Sequence, residues 1–228
     1  MQKFAVGYEK FCRVIWVMFN INMAFIVHTV MGLILVGFFP SVAATYSTVR
    51  TWLLDEDHSW IWRKVWKVFH EAWGEEIAAA NGFGWAQFIA GAFLFWDYYV
   101  VNNNNLGGRA GIAVSGILLA VNVIYWLFAL MSWAVRAHFD EKIIWIIRMS
   151  VSMCIARPLS SLLIIMEMIL TVWVWVKWPG ILVTFGIVVP LFLVIVTIYS
   201  FARIPGFNAR SRIVTSGEVQ SANSAMSD

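Results

Sequence analysis

The hydrophobic residues of this chain gather in runs long enough to cross a membrane, separated by shorter polar stretches. The first run, residues 15–39, contains no Asp, Glu, Lys or Arg. A helix needs about 20 apolar residues to cross the roughly 30 Å hydrocarbon core of a bilayer. Further runs of this kind follow at about residues 83–101, 111–135, 158–176 and 181–201. The pattern therefore predicts an all-α integral membrane protein with a five-span helical bundle.

Residues with helix-breaking chemistry lie between these predicted spans. Pro40 follows the first span, an Asn- and Gly-rich stretch at 102–108 follows the second, and Pro179 with Gly180 separates the last two. Such residues favour turns over continued helix. Residues 206–228 are polar and rich in Ser and small residues, so we expect a disordered tail after a membrane domain of residues 1–205.

Two segments between the spans have the pattern of amphipathic helices. In residues 60–73, apolar side chains recur every three or four positions and basic side chains fill the other face. This pattern is typical of a helix that lies in the membrane interface. Residues 143–157 show a similar, more apolar pattern. The candidate interface or partner residues are Trp62, Trp66, Phe69, Trp73, Arg63, Lys67 and Arg157. The aromatic residues either anchor the helix in the interface or dock a partner, and Arg157 either reaches lipid phosphate or pairs with an acid.

Composition supports the membrane assignment and argues against several classes of function. Hydrophobic residues make up 61% of the chain and charged residues 13%, against about 25% charged residues in soluble domains. The 14 Trp residues are typical of a protein with aromatic belts at the membrane interface. A formal net charge of +3 is too small to indicate nucleic-acid binding.

The sequence contains no motif that indicates catalysis or a cofactor. Cys12 and Cys154 belong to no CxxC pair or Cys/His cluster, so zinc and redox chemistry have no support. Gly-rich phosphate loops, HExxH and GxSxG are also missing from the sequence. We therefore expect a protein that is not an enzyme and has no metal or cofactor.

The distribution of Lys and Arg predicts an orientation. With five spans, eleven of these residues fall on the side of the two interfacial helices and the C-terminal tail, and five fall on the other side. Basic residues favour the cytoplasmic side. We thus expect the interfacial helices and the tail to be cytoplasmic and the N-terminal end outside, although three of the five opposing basic residues lie near that end, and a re-entrant element would change the count.

Four polar residues within the predicted spans are candidates for a mid-membrane site. They are His28, Asn122, Glu167 and Asp97. Ionisable groups inside a bilayer are expensive and are functional candidates by default. His28, Asn122 and Glu167 are expected at similar depth, where they form either hydrogen bonds that hold helices together, at roughly 1 kcal/mol each, or a proton- or solute-linked site.

Several short motifs resemble those of a known family. They are Asn20-Ile21-Asn22, the run from Phe39-Pro40 to Thr45, Val49-Arg50-Thr51-Trp52, Trp66-Lys67-Val68-Phe69 and Arg157-Pro158-Leu159. With the five-span layout over residues 1–205, they resemble the YesL-like family of bacterial membrane proteins, a domain of unknown function. The resemblance implies a gene context of carbohydrate ABC importers and sensor regulators, and it supplies no catalytic residues.

The resulting expectation is a non-enzymatic accessory, scaffold or regulatory protein of carbohydrate uptake in the bacterial inner membrane. Its expected partners are the lipid bilayer and, through the interfacial helices, importer subunits or a sensor kinase. The alternative is a small transporter or channel that forms a homo-oligomer and uses His28, Asn122 and Glu167.

Overall fold

The computed structural model describes residues 2–104 and 108–201, and within these ranges the chain is entirely helical, with eight helices and no strand. The helices are α1 (Gln2–Met31), α2 (Phe38–Leu54), α3 (Trp62–Asn103), α4 (Arg109–His138), α5 (Ile143–Ala156), α6 (Pro158–Lys177), α7 (Pro179–Phe185) and α8 (Val188–Phe201). Four helices are long and apolar enough to cross a membrane, or five when α7 and α8 count as one broken span. The predicted all-α membrane fold is therefore confirmed. The predicted tail at 206–228 and part of the loop at 102–108 lie outside the described residues.

The first predicted span, 15–39, is two helices that meet in a sharp turn. α1 ends at Met31, and Leu33 and Ile34 have positive φ values of 54° and 64°. α2 begins at Phe38, so Pro40 lies in its first turn and does not end a span. Proline is tolerated there because the first-turn N–H groups have no partner within the helix.

The helix that the hydrophobic pattern missed, α2, lies at the centre of the fold. It packs against α1, α3, α4 and α8, and its buried residues include Ser41, Thr45, Tyr46 and Thr48. The Thr45 hydroxyl donates a hydrogen bond to the Ser41 carbonyl, 2.8 Å away, so burial leaves it satisfied. Small and hydroxylated residues allow close helix packing in membranes. Protein, rather than lipid, surrounds α2, which explains its modest hydrophobicity.

The predicted interfacial helix at 60–73 and the predicted span at 83–101 form one continuous helix of 42 residues, α3. At 1.5 Å per residue, α3 is about 63 Å long. Gly74 and Gly82 lie between the two predicted elements, and Gly84 lies at the start of the second. A helical glycine costs only about 1 kcal/mol relative to alanine, so these residues do not break the helix. The second half of α3 and the first half of α4 pack against each other as an antiparallel pair. Hydrogen bonds join the two helices almost to their connecting loop, where the Ser115 hydroxyl donates to the Asn102 side chain.

The remaining helices follow the sequence prediction except at the last span. α4, α5 and α6 match the predicted segments at 111–135, 143–157 and 158–176 to within a few residues. The predicted span at 181–201 is broken, because α7 and α8 meet at an angle of 69°. Gly186 lies at the break with φ 35°, and the Asn22 side chain of α1 donates a hydrogen bond to the Val183 carbonyl there, at 3.0 Å. An Asn of the motif at 20–22 therefore stabilises the break.

Candidate functional site

A cleft of about 470 Å³ opens where α2, α3, α4 and the start of α5 meet. Charged and polar residues of α2, α3, α4 and the loop before α5 line it, among them Ser47, Arg50, Glu76, Arg136, Asp140 and Glu141. Helix packing brings these residues together from positions almost a hundred apart in sequence. The cleft is therefore a site that only the tertiary structure creates.

An ion pair between α3 and α4 dominates the cleft. Arg136 Nη2 donates a hydrogen bond to Glu76 Oε2, and the two side chains are 13% and 37% exposed. The guanidinium carbon also lies 5.6 Å from the ring centroid of Phe83 and 5.7 Å from that of Trp133. Charge-assisted hydrogen bonds and cation–π contacts strengthen as water is removed. Arg136 thus has two favourable contacts that hold α4 against α3, with Glu76 and Phe83, and a third with Trp133 of its own helix.

Aromatic residues form the apolar wall behind this pair. Trp133 is buried, lies parallel to the Phe39 ring at a centroid distance of 6.3 Å, and meets Phe83 edge-on at 5.1 Å. At the end of α4, buried His138 forms a hydrogen bond of 3.0 Å with the hydroxyl of Tyr199 on α8. The cleft therefore has a rigid aromatic wall and a charged mouth that includes Asp140 and Glu141.

His28 lies near the end of α1, not in the middle of a span, and it pairs with a second histidine. Its Nδ1 is 2.8 Å from the Ala24 carbonyl, and its Nε2 is 3.0 Å from Nδ1 of His70 on α3. A carbonyl accepts only from N–H, so Nδ1 is the protonated nitrogen and Nε2 of neutral His28 accepts a hydrogen bond from His70. Trp66, Phe69 and Trp73 surround the ring at centroid distances of 5.0 to 5.9 Å.

These contacts change the interpretation of the predicted aromatic surface. Phe69 is fully buried, and Trp66 and Trp73 are half-buried against α1. Trp62 remains exposed, as do Arg63 and Lys67. The apolar stripe of 60–73 therefore packs mainly within the protein, and its basic face remains available to solvent, lipid headgroups or a partner.

Polar side chains link α3 and α4 along their antiparallel pair. Asn122 donates a hydrogen bond of 3.0 Å to the Leu94 carbonyl, and Gln87 donates one of 2.7 Å to the Ser132 hydroxyl. The Tyr125 hydroxyl donates to the Gln87 carbonyl. Asn122 thus forms a hydrogen bond between two helices, which is the kind of contact that the first of its two interpretations describes.

Glu167 forms a separate contact between α6 and α8. Its Oε1 accepts a hydrogen bond of 2.5 Å from the Thr197 hydroxyl, and its buried Oε2 has no hydrogen-bond partner among the described residues. Asp97 is exposed on α3. Within the described residues no hydrogen bond or ring contact joins His28, Asn122 and Glu167, so the structure does not assemble the polar layer that the sequence predicted.

Arg157, the remaining predicted candidate, connects two helices through its backbone. It lies half-buried between α5 and α6, and its carbonyl accepts a hydrogen bond of 2.9 Å from the Ser160 hydroxyl.

An ion pair joins the loop after α2 to the beginning of α3. Lys64 and Trp60 donate hydrogen bonds to the Asp55 carboxylate at 2.6 and 2.7 Å, and they lower its pKa to about 2.

Sequence reasoning missed the central residues of the cleft. The sequence indicates neither Arg136 nor Glu76 as a site residue, because two residues that lie 60 positions apart give no local sign that they form a pair. A visible signal was the position of Arg136 at the end of an apolar run, one turn after Trp133. In the parts of the chain that the structure describes, no group of three His, Cys, Asp or Glu residues could hold a metal ion.

Comparisons with known proteins identify relatives without a named function. Residues 18–98 match the family model described as "Protein of unknown function, DUF624". The chain is 26% identical over 159 residues to the uncharacterized protein YesL of Bacillus subtilis (strain 168), an alignment that covers 70% of this chain and 72% of that relative. No solved structure matches the chain. The resemblance to the YesL-like family is thereby confirmed.

Proposed function

We propose that this chain, a DUF624-family membrane protein and a distant homologue of YesL, is a non-enzymatic accessory, scaffold or regulatory protein of bacterial carbohydrate uptake. In this proposal the protein binds an importer subunit or a sensor kinase through the charged cleft and the basic face of α3. Two observations support docking: the charged cleft and the exposed basic face of α3. The link to carbohydrate uptake comes from the family resemblance alone.

The length and charge of α3 favour a partner outside the hydrocarbon. About 20 residues suffice to cross the bilayer, and α3 has 42. Its first fifteen residues, 62–76, contain three basic residues, a histidine and three acids. Burying so many ionisable groups in hydrocarbon is unfavourable, so this part of α3 lies at or beyond the membrane surface. A helix held there by α1 and α2 presents Arg63 and Lys67 on its exposed face.

The test is co-purification in mild detergent with mass determination and identification of bound proteins. We expect the wild-type protein to retain an importer subunit or a sensor kinase. The variant Arg63→Glu/Lys67→Glu should lose it while remaining monodisperse. Lys177→Glu is the matched control, because Lys177 is an exposed basic residue at the far end of α6. Purification of the wild type without such a partner, or equal retention by all three proteins, would contradict the proposal.

The transporter alternative retains one supporting observation, the buried Glu167 oxygen that has no hydrogen-bond partner among the described residues. A carboxyl oxygen without such a partner leaves a hydrogen-bonding position open to a solute, as a carrier requires. Purified protein in liposomes would then move a solute, and Glu167→Gln would stop the flux without changing the folded fraction. Under the accessory proposal, we expect neither protein to produce flux.

A further inference from the structure

The turn between α1 and α2 is an exposed apolar surface. Residues 32–37 consist only of glycine and aliphatic residues. The four side chains from Leu33 to Val36 are between 53% and 82% exposed, and Val30 and Met31 extend the surface into α1. Such a contiguous aliphatic patch is unfavourable in water, and hydrocarbon is the environment that matches it.

The backbone of the turn is suited to hydrocarbon as well. Non-helical backbone within a bilayer must find hydrogen bonds inside the protein. The Gly32 and Ile34 N–H groups donate to carbonyls of the last turn of α1, at 3.0 and 2.8 Å, and the Phe38 N–H donates to the Ile34 carbonyl at 2.9 Å. From α3, the Asn81 side chain donates to the Val36 carbonyl at 2.8 Å. The turn therefore combines apolar side chains with internally bonded backbone groups.

The opposite end of the α1–α2 pair is polar, and both helices end there together. Glu9 and Arg13 of α1 line a cleft of about 550 Å³ with Glu56, Asp57 and His58, which follow α2. A chain that enters the membrane along α1 thus leaves along α2 on the same side.

The pair also extends along only part of α3. The turn contacts α3 at Asn81, and Phe39 at the start of α2 lies against Gly84. Beyond Gly84, α3 continues for about 28 Å to Asn103. We infer that α1 and α2 form a re-entrant hairpin whose tip, residues 32–37, contacts the hydrocarbon of the bilayer and whose polar end lies on the cytoplasmic side.

The charge distribution supports this orientation. When α2 returns the chain to its starting side, Lys3, Lys10 and Arg13 join the side of the other basic segments, and α8 ends beside the end of α4 through the Tyr199–His138 contact. Within the described residues, eleven Lys and Arg residues then lie on one side and two, Arg109 and Lys177, on the other. A five-span layout divides the same residues eight to five, so the hairpin gives the stronger asymmetry, and this asymmetry favours a cytoplasmic location for the beginning of α1. The inference reverses the expected outside location of the N-terminal end.

Single cysteines test which side each end occupies. In a Cys12→Ser/Cys154→Ala background, Glu9→Cys, Asp57→Cys and Asn104→Cys are treated with a membrane-impermeant maleimide. The vesicles are right-side-out or inverted. We expect the first two variants to react only in inverted vesicles and the third only in right-side-out vesicles. Reaction of Glu9→Cys and Asp57→Cys on opposite sides would overturn the hairpin, and reaction of both only in right-side-out vesicles would overturn the cytoplasmic orientation.

A spin label tests what covers the tip. Leu35→Cys in the same background is spin-labelled and reconstituted in liposomes, and its collision rates with oxygen and with a water-soluble nickel chelate are measured. We expect high oxygen and low nickel accessibility, the signature of hydrocarbon. High nickel accessibility would place the tip in water, on either side, and would overturn the inference. Low values for both, with spin–spin broadening, would assign the surface to a second copy and also overturn it. Val30→Cys gives the same readout if Leu35→Cys does not fold.

Discussion

Alanine at Glu76 should destabilise the protein by about 2 kcal/mol, because it leaves the Arg136 guanidinium without its carboxylate. Removing one partner of a fully buried ion pair costs about 3–5 kcal/mol, whereas an exposed pair contributes about 0.2–1 kcal/mol. With Arg136 13% exposed and Glu76 37% exposed, this pair falls between the two limits. Arg136→Ala also removes two cation–π contacts of about 0.5–1 kcal/mol each, so we expect it to cost about 3 kcal/mol in total.

The double variant separates the pair from the other contacts of each residue. Because neither charge remains unpaired in Glu76→Ala/Arg136→Ala, its loss should be about 1–2 kcal/mol smaller than the sum of the two single losses. Free energies come from equilibrium unfolding in mixed micelles of increasing denaturing detergent. Arg148→Ala is the control, since Arg148 is exposed on α5, and we expect it to stay within about 0.5 kcal/mol of wild type. Additive effects of the two single variants would refute the coupling inferred from the geometry.

Three further outcomes follow from individual contacts. Gly84→Ala should lower the thermal midpoint in detergent by several degrees, because its Cβ would lie 2.2 Å from the Phe39 ring, while Gly82→Ala, with no atom within 4 Å, should leave it unchanged or raise it. Asn122→Leu should lower the free energy of unfolding by about 1 kcal/mol or less, the usual value of a hydrogen bond between membrane helices. Unfolding in detergent measures this change, and a larger loss would contradict the estimate. Asp55 has a folded-state pKa lowered from 3.8 to about 2, so its ion pair stabilises the folded protein above about pH 4 and is lost as the pH falls toward 2. The Asp55→Asn variant should lack this acid-dependent loss of stability, which solvent screening limits to about 1 kcal/mol or less. An acid unfolding curve identical to that of the wild type would count against the contact.

The apolar runs predicted most of the helices correctly because lipid imposes a strong and local requirement. A segment that faces hydrocarbon must be apolar for about 20 residues, and this property is visible without knowledge of any neighbour. α4 and α6 are the examples, with bounds within a few residues of the prediction. The same reasoning failed at α2, whose Ser and Thr residues face other helices and therefore need no lipid-like composition.

Boundaries within continuous apolar sequence were less predictable than the helices themselves. Nothing in the hydrophobicity of residues 15–39 marks the turn at 32–37, because glycine and aliphatic residues suit both a span and a hairpin tip. Conversely, the change from amphipathic to apolar pattern near residue 80 indicated two elements, whereas α3 crosses it without a break. Backbone hydrogen bonds continue through a change of environment, and side-chain hydrophobicity reports only the environment.

By itself, the sequence determined that the protein is helical and membrane-embedded and that it resembles the YesL-like proteins. Each of these properties depends on residue type and local spacing. Only the tertiary structure decided which polar residues meet: His28 with His70, Arg136 with Glu76, and Asn22 with the break between α7 and α8. These partners lie between 42 and 161 residues apart. Their pairing follows from how whole helices pack, and one sequence contains no local record of that packing.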